Sequence, residues 1–233
     1  MSALVILPTY NEAENVEKII PKLLKHDVDI LFIDDASQDK TAEKIRNWMN
    51  QSERINLIER PKKLGLGTAY VTGFKWALKR HYEYIFEMDA DLSHDPAEIP
   101  NFIKKCNEGY DLVIGSRYTR GTISVVGWDF KRLLLSKLAN KYATTILGLG
   151  FLTDVTSGYR CYRKGVLESI DLDNIKSNGY AFQIEMVYRA YKMGFKITEI
   201  PIIFYERNSG SSKMSKKIIR EAAIMVWRLR LGK

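Results

Sequence analysis

Four apolar runs, each followed by a segment with a helical pattern, constrain the fold of this chain more than any other feature. Residues 4–7, 30–33, 55–58 and 84–88 are short and rich in aliphatic or aromatic side chains, as buried strands are. The segments between them carry helical periodicity or helix caps. Strands that alternate with helices predict right-handed βαβ units around a parallel sheet. The sequence therefore predicts an α/β fold in which helices flank a mostly parallel sheet.

Beyond residue 95 the alternation becomes less regular. It predicts helices at residues 96–107, 128–147 and 182–192, and strands at residues 112–114 and 197–204. The last of these strands contains Pro201, which cannot donate to a sheet ladder, so we expect an edge or bulged strand.

The helix predicted at residues 128–147 is amphipathic. Its apolar residues recur every four positions, at Leu134, Leu138, Tyr142 and Ile146. Four basic residues lie among them, namely Lys131, Arg132, Lys137 and Lys141. The usual meaning of this pattern is a core helix with a solvated basic side.

The net charge of +8 is concentrated near the C-terminal end of the 233 residues. Residues 207–233 contain eight Lys or Arg and one Glu, which leaves a net charge of +1 for residues 1–206. A basic surplus of this kind indicates an anionic partner or surface. Aromatic residues are not interleaved with Lys or Arg as in a base-stacking platform, so we expect no nucleic-acid partner.

A C-terminal helix would give this basic segment an apolar side. A helix over residues 214–231 aligns Met214, Ile218, Ala222, Met225 and Leu229, with Trp227 beside them. Such a face with flanking cations suits an anionic membrane interface. We therefore predict a main domain over residues 1–213 and a basic, interfacial amphipathic helix over residues 214–233. The alternative is a terminal helix that packs on the domain.

No segment has the features of a signal peptide or of a membrane span. Residues 1–7 lack a basic leader, and no apolar run approaches about 18 residues. Cys106 and Cys161 are far apart and lack metal-ligand spacing, which indicates reduced thiols. We expect peripheral attachment at the cytoplasmic face of a membrane.

Two carboxylates follow the fourth strand. Burying Asp89 or Asp91 would cost several kcal/mol without a cation or strong donors, which makes this strand end a candidate cation site with Asp91 as the metal ligand. The alternative is that Asp89, Ser93 and Asp95 cap the helix that begins near residue 96.

Other polar residues belong to the same edge of the predicted sheet. Ligands of parallel α/β sheets bind beyond the carboxyl ends of the strands, where Tyr10, Glu12, Asp35, Asp89 and Asp91 would gather. Arg117 could reach a phosphate or form a surface ion pair. Residues 207–213 carry two cations among small residues, which suits a loop that closes over phosphates. The set predicts a site for a metal-bound sugar nucleotide.

Eight short segments together resemble the dolichyl-phosphate mannosyltransferases, which are inverting family 2 glycosyltransferases with the GT-A fold. They are PTYNE (residues 8–12), DD (34–35), GLGTA (65–69), MDADLSH (88–94), SRY (116–118), GWDFKR (127–132), TSG (156–158) and SK (212–213). The resemblance runs from residue 3 to about residue 213. Each segment alone is weak evidence, but their order is specific.

The resemblance implies a site for GDP-mannose. The guanosine would be held by Pro8, Tyr10, Glu12, Ile33 and Asp35. Asp89 and Ala90 would contact nucleotide and sugar, while Asp91, with Ser93 directly or through water, would hold Mg²⁺ or Mn²⁺. The phosphates would be neutralised by Arg117, Arg207 and Lys213.

The resemblance also implies an acceptor, dolichyl or another polyprenyl phosphate, held by Arg132 and Ser136. Its phosphate is already anionic near neutral pH and can attack the anomeric carbon without a base, so that Asp91, Arg117 and Arg132 carry catalysis. Relatives without membrane helices depend on small membrane subunits, and this chain resembles them.

Three alternatives stay open from the sequence. The donor could be another sugar nucleotide such as UDP-glucose. A nucleotidyltransferase would also place carboxylates on an α/β sheet, but its first strand should enter a Gly- and Arg-rich loop, unlike residues 8–12. A basic nucleic-acid-binding module is the third.

Overall fold

The nine strands found among the described residues form one large and one small sheet. The computed structural model describes residues 2–175, 177–206 and 216–232, with only the backbone for Arg120 and residues 216–222. The strands are β1 (Ala3–Thr9), β2 (Asp29–Asp34), β3 (Ile55–Glu59), β4 (Tyr84–Glu87), β5 (Leu112–Ser116), β6 (Val125–Val126), β7 (Arg160–Arg163), β8 (Ile197–Pro201) and β9 (Phe204–Tyr205). The large sheet has the order β3-β2-β1-β4-β7-β5-β8, and β6 pairs with β9.

Eight α-helices connect the strands or cover the sheet in the described part of the chain. They are α1 (Ala13–Leu23), α2 (Thr41–Met49), α3 (Leu66–Leu78), α4 (Ile99–Asn107), α5 (Phe130–Leu147), α6 (Lys164–Ser169), α7 (Tyr180–Lys192) and α8 (Lys216–Arg230). The helices predicted at residues 96–107, 128–147 and 182–192 are found as α4, α5 and α7, with bounds shifted by up to three residues, whereas α6 was not predicted.

The first four strands pair in parallel, as predicted. β1 lies between β2 and β4, with Leu4 opposite Asp29 on one side and Ile85 on the other. β8 is the edge strand that Pro201 predicts, and it runs parallel to β5. The carboxyl ends of β1, β2 and β4 therefore meet at one edge of the sheet.

Strand β7, which runs antiparallel between β4 and β5, was not predicted from the sequence. Two arginines bound this four-residue strand, so it reads as part of a polar turn. In the structure Arg160 is fully buried and donates to the carbonyl groups of Val155, Ser157 and Gln183. The long guanidinium side chain thus satisfies the backbone of neighbouring segments from inside the core.

Successive residues of β1 face two different apolar layers. Leu4 and Ile6 join the layer that contains α3 and α7, while Val5 and Leu7 join the layer that contains α1 and α4. Because both faces are covered, the strand needs apolar residues at every position. The predicted mostly parallel, doubly covered sheet is confirmed.

The apolar stripe of α5 does not face the core, contrary to the usual meaning of its pattern. Leu134, Leu138 and Tyr142 are exposed, whereas the buried residues of α5 are Asn140, Ala143, Thr144 and Leu147. Only Ile146, the last residue of the stripe, packs against the core, together with the buried Ala143 and Leu147. The stripe is therefore available to another surface.

Helix α8 packs against α5 and α7. Val226 is buried, and Met225 and Leu229 join the same apolar layer, while Trp227 is half exposed. In the part of the chain that the structure describes, every helix is too short or too polar to cross a bilayer. The interfacial role of residues 214–233 stays a prediction.

Candidate active site

A cleft of about 440 Å³ opens at the carboxyl ends of β1, β2 and β4. It contains seven of the residues predicted for the donor site, namely Pro8, Tyr10, Glu12, Asp35, Asp89, Ala90 and Asp91. Ile33 has its side chain in the core, so its contact with a ligand would be through the backbone, and Arg117 lines a neighbouring cavity instead. Arg207 and Lys213 lie outside the described residues.

The tip of β1 is fixed by a buried hydrogen bond to the tip of β2. The Thr9 hydroxyl group donates to Asp34 at 2.9 Å, and both residues are buried. Tyr10 follows with its ring exposed and the Lys63 ammonium group 3.6 Å from the ring centroid. A flat ring at the mouth of a cleft suits a planar base. The sequence analysis did not single out Lys63, which is distant from Tyr10 in the chain.

Asp35 is held by a buried arginine that the sequence analysis also missed. Arg60 forms an ion pair with one carboxylate oxygen of Asp35, and the other oxygen accepts from the backbone of Leu64 at 3.1 Å and Gly65 at 3.3 Å. Arg60 further donates to the Thr68 hydroxyl group at 2.8 Å. The pair ties the ends of β2 and β3 to the start of α3, where Gly65 and Leu66 line the cleft.

Hydrogen bonds with Ser93 and His94 fix the acidic turn that follows β4. The backbone N–H and the hydroxyl group of Ser93 both donate to one oxygen of Asp91, at 3.1 and 2.5 Å. The backbone N–H of Asp89 donates to Nδ1 of His94, whose ring is buried against Tyr159. Burial lowers the pKa of His94 to about 4, so the ring is a neutral acceptor near pH 7.

The helix that follows this turn is capped by Asp95 rather than by Asp89 or Asp91. Asp95 accepts from the backbone of Ala97 at 3.0 Å and caps the short helix that begins at Pro96. Asp89 and Asp91 line the cleft instead. The geometry therefore divides the acidic residues into a cap and a pair that faces the cleft.

The donor set fits a hard divalent cation. Asp91 and Asp89 offer carboxylate oxygens, but no group of three or more His, Cys, Asp or Glu that could close around a metal occurs in residues 2–175, 177–206 and 216–232. Mg²⁺ and ions like it are commonly held by one or two carboxylates together with substrate phosphates and water. Because Ser93 donates to Asp91 and is buried, its direct ligation of a metal stays a prediction.

A second cavity of about 300 Å³ lies between α5, α7 and α8 and shares Thr156 and Tyr180 with the cleft. Its walls are mostly apolar, with Leu135, Ile184 and Val226 among them. The two residues predicted for the lipid phosphate, Arg132 and Ser136, line it together with Arg117. The structure thus brings the predicted acceptor residues to one apolar cavity that adjoins the acidic cleft.

Arg117 is locked by a buried carboxylate. Its Nε and Nη2 atoms donate to the two oxygens of Asp154 at 2.6 Å each, and Nη2 also donates to Thr156 at 2.9 Å. Burial opposes the ionisation of Asp154, but the charge and hydrogen bonds of Arg117 outweigh it and lower the pKa of this carboxyl. Asp154 lies 37 residues from Arg117 in the chain, so the pair could not be predicted from local sequence.

Arg132 is held more loosely. Its backbone N–H is capped by Asp129 at 2.7 Å, and its guanidinium group pairs with Glu206 and lies 4.2 Å from the centroid of Trp128. One turn further along α5, the Ser136 hydroxyl group accepts from Tyr118 at 2.7 Å. The Glu206 side chain is 39% exposed, and pairs of this kind contribute little to stability. An anionic ligand could therefore replace Glu206.

The chain matches known proteins along most of its length. The family described as Glycosyl transferase family 2 matches residues 4–171. A polyprenol monophosphomannose synthase from Mycolicibacterium smegmatis is 45% identical over 234 residues, which cover 97% of this chain and 87% of that protein. An undecaprenyl-phosphate mannosyltransferase from Micrococcus luteus is 42% identical over 230 residues, which cover 98% of this chain and 93% of that protein.

Solved structures share the fold at low sequence identity. A glucosyl-3-phosphoglycerate synthase from Mycobacterium tuberculosis, solved with Mn²⁺, uridine diphosphate and glucosyl-3-phosphoglycerate, is 18% identical with a TM-score of 0.72 over 99% of this chain and 80% of that chain. A mannosyltransferase from Pyrobaculum calidifontis, solved with GDP-Man and Mn²⁺, is 16% identical with a TM-score of 0.60 over 99% of this chain and 73% of that chain.

These comparisons confirm the GT-A fold that the resemblance implies. The family match covers well over half of the residues, and two relatives above 40% identity align with nearly all of them. The chain therefore belongs to glycosyl transferase family 2 and is a glycosyltransferase.

Proposed function

We propose that this chain transfers mannose from GDP-mannose to the phosphate group of dolichyl or another polyprenyl phosphate, with inversion at the anomeric carbon. The observation that carries the proposal is the junction of two cavities at Thr156 and Tyr180. The acidic cleft suits a sugar nucleotide with a metal ion, and the apolar cavity with cations on its wall suits a lipid phosphate. The names of the two curated relatives support mannose as the sugar and a polyprenyl phosphate as the acceptor.

The donor is held along the ends of the strands. Tyr10 and Asp35 face the base and ribose, and Arg60 fixes the orientation of the Asp35 carboxylate. Asp91, oriented by Ser93, would hold Mg²⁺ or Mn²⁺. When bound, the metal would stabilise the negative charge that develops on the departing GDP.

The acceptor phosphate attacks from the side of the second cavity. One of its oxygens forms a bond to the anomeric carbon while the bond from that carbon to the diphosphate breaks, and GDP leaves with the electron pair. The phosphate is anionic near pH 7, so no base is needed, but two anions must be held together. Arg132 and Ser136 supply contacts for the acceptor at the wall of this cavity.

Arg117 and Arg132 contribute differently to this scheme. The carboxylate of Asp154 neutralises Arg117 in a buried pair, so Arg117 chiefly holds Thr156 at the junction of the cavities. Arg132 can exchange the more exposed Glu206 for a phosphate. We infer that Arg132 is the main cation for the acceptor, and direct contact of Arg117 with a phosphate stays a prediction.

The function is tested by turnover of purified protein with each sugar nucleotide and a short-chain polyprenyl phosphate. We expect mannosyl transfer from GDP-mannose that depends on a divalent cation, with a β-linked product by NMR. Turnover of UDP-glucose alone would replace the mannose assignment with the alternative donor. Tight RNA binding at physiological salt, with no metal-dependent affinity for GDP, would contradict a glycosyltransferase site.

Replacing Arg132 with Ala should weaken the acceptor more than the donor. The loss of one charge-assisted contact corresponds to about 1.5–3 kcal/mol, which predicts an increase of roughly 10- to 150-fold in the KM for polyprenyl phosphate. The affinity for GDP-mannose, measured by calorimetry, should change less than about twofold.

Lys131→Ala is the matched control for this variant. Lys131 is the adjacent cation on α5, but it is exposed and does not line the cavity. With a short-chain polyprenyl phosphate in solution, where no membrane delivers the acceptor, its substitution should leave the KM for the acceptor and the affinity for GDP-mannose unchanged. An Arg132→Ala enzyme with an unchanged KM for the lipid would remove this residue from the acceptor site.

Exposed apolar residues lie on α5 and α8, two of the helices that line the second cavity, and form a surface that suits a membrane. This α5–α8 surface consists of Phe130, Leu134, Leu138, Ile224 and Trp227. Phe130 is 75% exposed, and Leu138 lies both on the surface and on the cavity wall. Lys131, Lys137 and Lys141 are exposed on the same helix. We propose that this surface binds the anionic cytoplasmic face of a membrane, so that a lipid acceptor enters the cavity directly. A small integral-membrane subunit stays a prediction.

Charged substitutions on the α5–α8 surface should abolish vesicle binding without unfolding the protein, because these side chains contact solvent. We expect wild-type protein to cosediment with vesicles that contain phosphatidylserine at low salt, and Leu134→Glu with Trp227→Glu to stay in the supernatant. Met49→Glu, on α2 beneath the opposite face of the sheet, is the control and should bind as wild type does. Equal binding by all three proteins would place the membrane contact elsewhere.

A further inference from the structure

The Gln183 side chain lies in the donor cleft without a hydrogen bond. The residue is 2% exposed and borders the cleft beside Gly158 and Asp89. Neither Nε2 nor Oε1 of its amide forms a hydrogen bond with any residue that the structure describes. Burying an amide group without a partner costs free energy, and native proteins seldom leave one so. We therefore expect this amide to form its hydrogen bonds with a bound ligand.

The position of Gln183 on α7 is fixed by its surroundings. The buried Arg160 donates to the backbone carbonyl of Gln183 at 2.7 Å. The ring of the preceding Phe182 stacks on Tyr70 with centroids 5.8 Å apart. Since the backbone is held at this point, the unpartnered amide does not result from a loosely placed helix.

The neighbouring carboxyl group does not satisfy the amide. Glu87 is fully buried and accepts from the Tyr162 hydroxyl group at 2.9 Å. Burial raises the pKa of Glu87, and the charge of Arg160, then the nearby Gln183 amide and the Tyr162 hydroxyl group, offset part of that shift; no hydrogen bond of good geometry joins Glu87 and Gln183. The amide consequently retains its capacity to donate and to accept toward the cleft.

Gln183 and Asp89 border one space. A methyl group added to Gly158 would lie 3.6 Å from both carboxylate oxygens of Asp89 and 3.8 Å from Nε2 of Gln183. A group placed there meets an amide, which donates and accepts, beside carboxylate oxygens, which accept. A hydroxyl group also donates and accepts, so it matches this environment, whereas a phosphate would lie against the carboxylate.

The position of this space along the sheet indicates that the sugar, rather than the nucleoside, would occupy it. Asp35 follows β2, whereas Asp89 follows β4 and Gly158 precedes β7, two and three strands away in the sheet order. Thr156, which the cleft shares with the acceptor cavity, lies only two residues before Gly158 in the chain. The transferred sugar must lie where donor and acceptor meet.

We propose that the Gln183 amide hydrogen-bonds a ring hydroxyl group of the transferred hexose and thereby contributes to sugar selectivity. This inference rests on the proposed function, since it takes the cleft as the donor site. Gln183 contacts the sugar and neither the nucleoside nor the metal. Its substitution should therefore affect sugar nucleotides and leave GDP binding intact.

The test compares wild type with Gln183→Leu on GDP-mannose and on the series of GDP-deoxymannoses that each lack one hydroxyl group. With GDP-mannose we expect kcat/KM of the variant to fall about 10- to 100-fold, while the Kd for GDP with Mg²⁺ changes less than about twofold. With the one donor that lacks the bonded hydroxyl group, the two enzymes should have equal kcat/KM. Because Leu replaces an unpartnered buried amide, the melting temperature should be unchanged or higher.

The same losses with every deoxy donor, a parallel loss of GDP affinity, or a lower melting temperature would overturn the inference and indicate a structural role. If wild type turns over only UDP-glucose, the proposed mannose donor fails, and the deoxy series of UDP-glucose then decides the role of Gln183 independently.

Discussion

The Asp91→Asn variant is expected to lose at least about 10³-fold in kcat, which corresponds to roughly 4 kcal/mol of transition-state stabilisation. Asn keeps the size and the hydrogen bonds from Ser93 but lacks the charge that a divalent cation requires. The fold should persist, because Asp91 lies at the cleft rather than in either apolar layer. Steady-state turnover, with thermal unfolding as the check on folding, measures both expectations.

Binding of the metal can be followed without catalysis. For wild type, Mg²⁺ or Mn²⁺ should raise the affinity for GDP in calorimetric titrations, and for Asp91→Asn this gain should disappear. Asp95→Asn is the control, because Asp95 caps the next helix turn from an exposed position and Asn caps as well. An active Asp91→Asn enzyme, or one that retains the metal-dependent gain, would contradict the proposed metal site.

The features that could be predicted from the sequence are those that depend on residues close together in the chain. The first four strands and their helices depend on apolar runs and caps within a few residues, so their positions are close to those observed. The acidic cleft then follows, because the ends of parallel strands share an edge. The carboxylates at Asp35, Asp89 and Asp91 meet there for this reason.

The missed features depend on contacts between distant segments. Arg60 and Asp35 are 25 residues apart, and the apolar pattern around Arg60 gives no hint that it is buried. Gln183 lies on a helix whose other buried residues are mainly apolar, so its lack of a partner is visible only in three dimensions. The sequence predicts a core position for the stripe on α5, since periodicity identifies an apolar face but not the surface that covers it.

Replacing Asp154 with Asn should destabilise the protein more than any other single substitution considered above. The change leaves the buried guanidinium group of Arg117 without a counter-charge, which typically costs about 3–5 kcal/mol. Chemical denaturation should show this loss, and the melting temperature should fall by roughly 6–20 °C. Asp173→Asn, in the exposed pair with Lys75, is the control and should cost less than about 1 kcal/mol.

The pH dependence of stability gives a second readout of the same pair. The folded pKa of Asp154 lies below its ordinary value of 3.8, so its contribution is complete above that value and is lost as the pH falls through the folded pKa. Wild type should therefore lose stability relative to Asp154→Asn only in this acid range. The double variant Arg117→Met with Asp154→Leu distinguishes the contribution of the pair to stability from any role of Arg117 in catalysis. It removes both charges and fills the space with apolar groups. Its stability should recover toward that of wild type. If activity recovers as well, Arg117 has no direct contact with the substrates, whereas a stable but inactive enzyme would indicate that its charge acts on a phosphate.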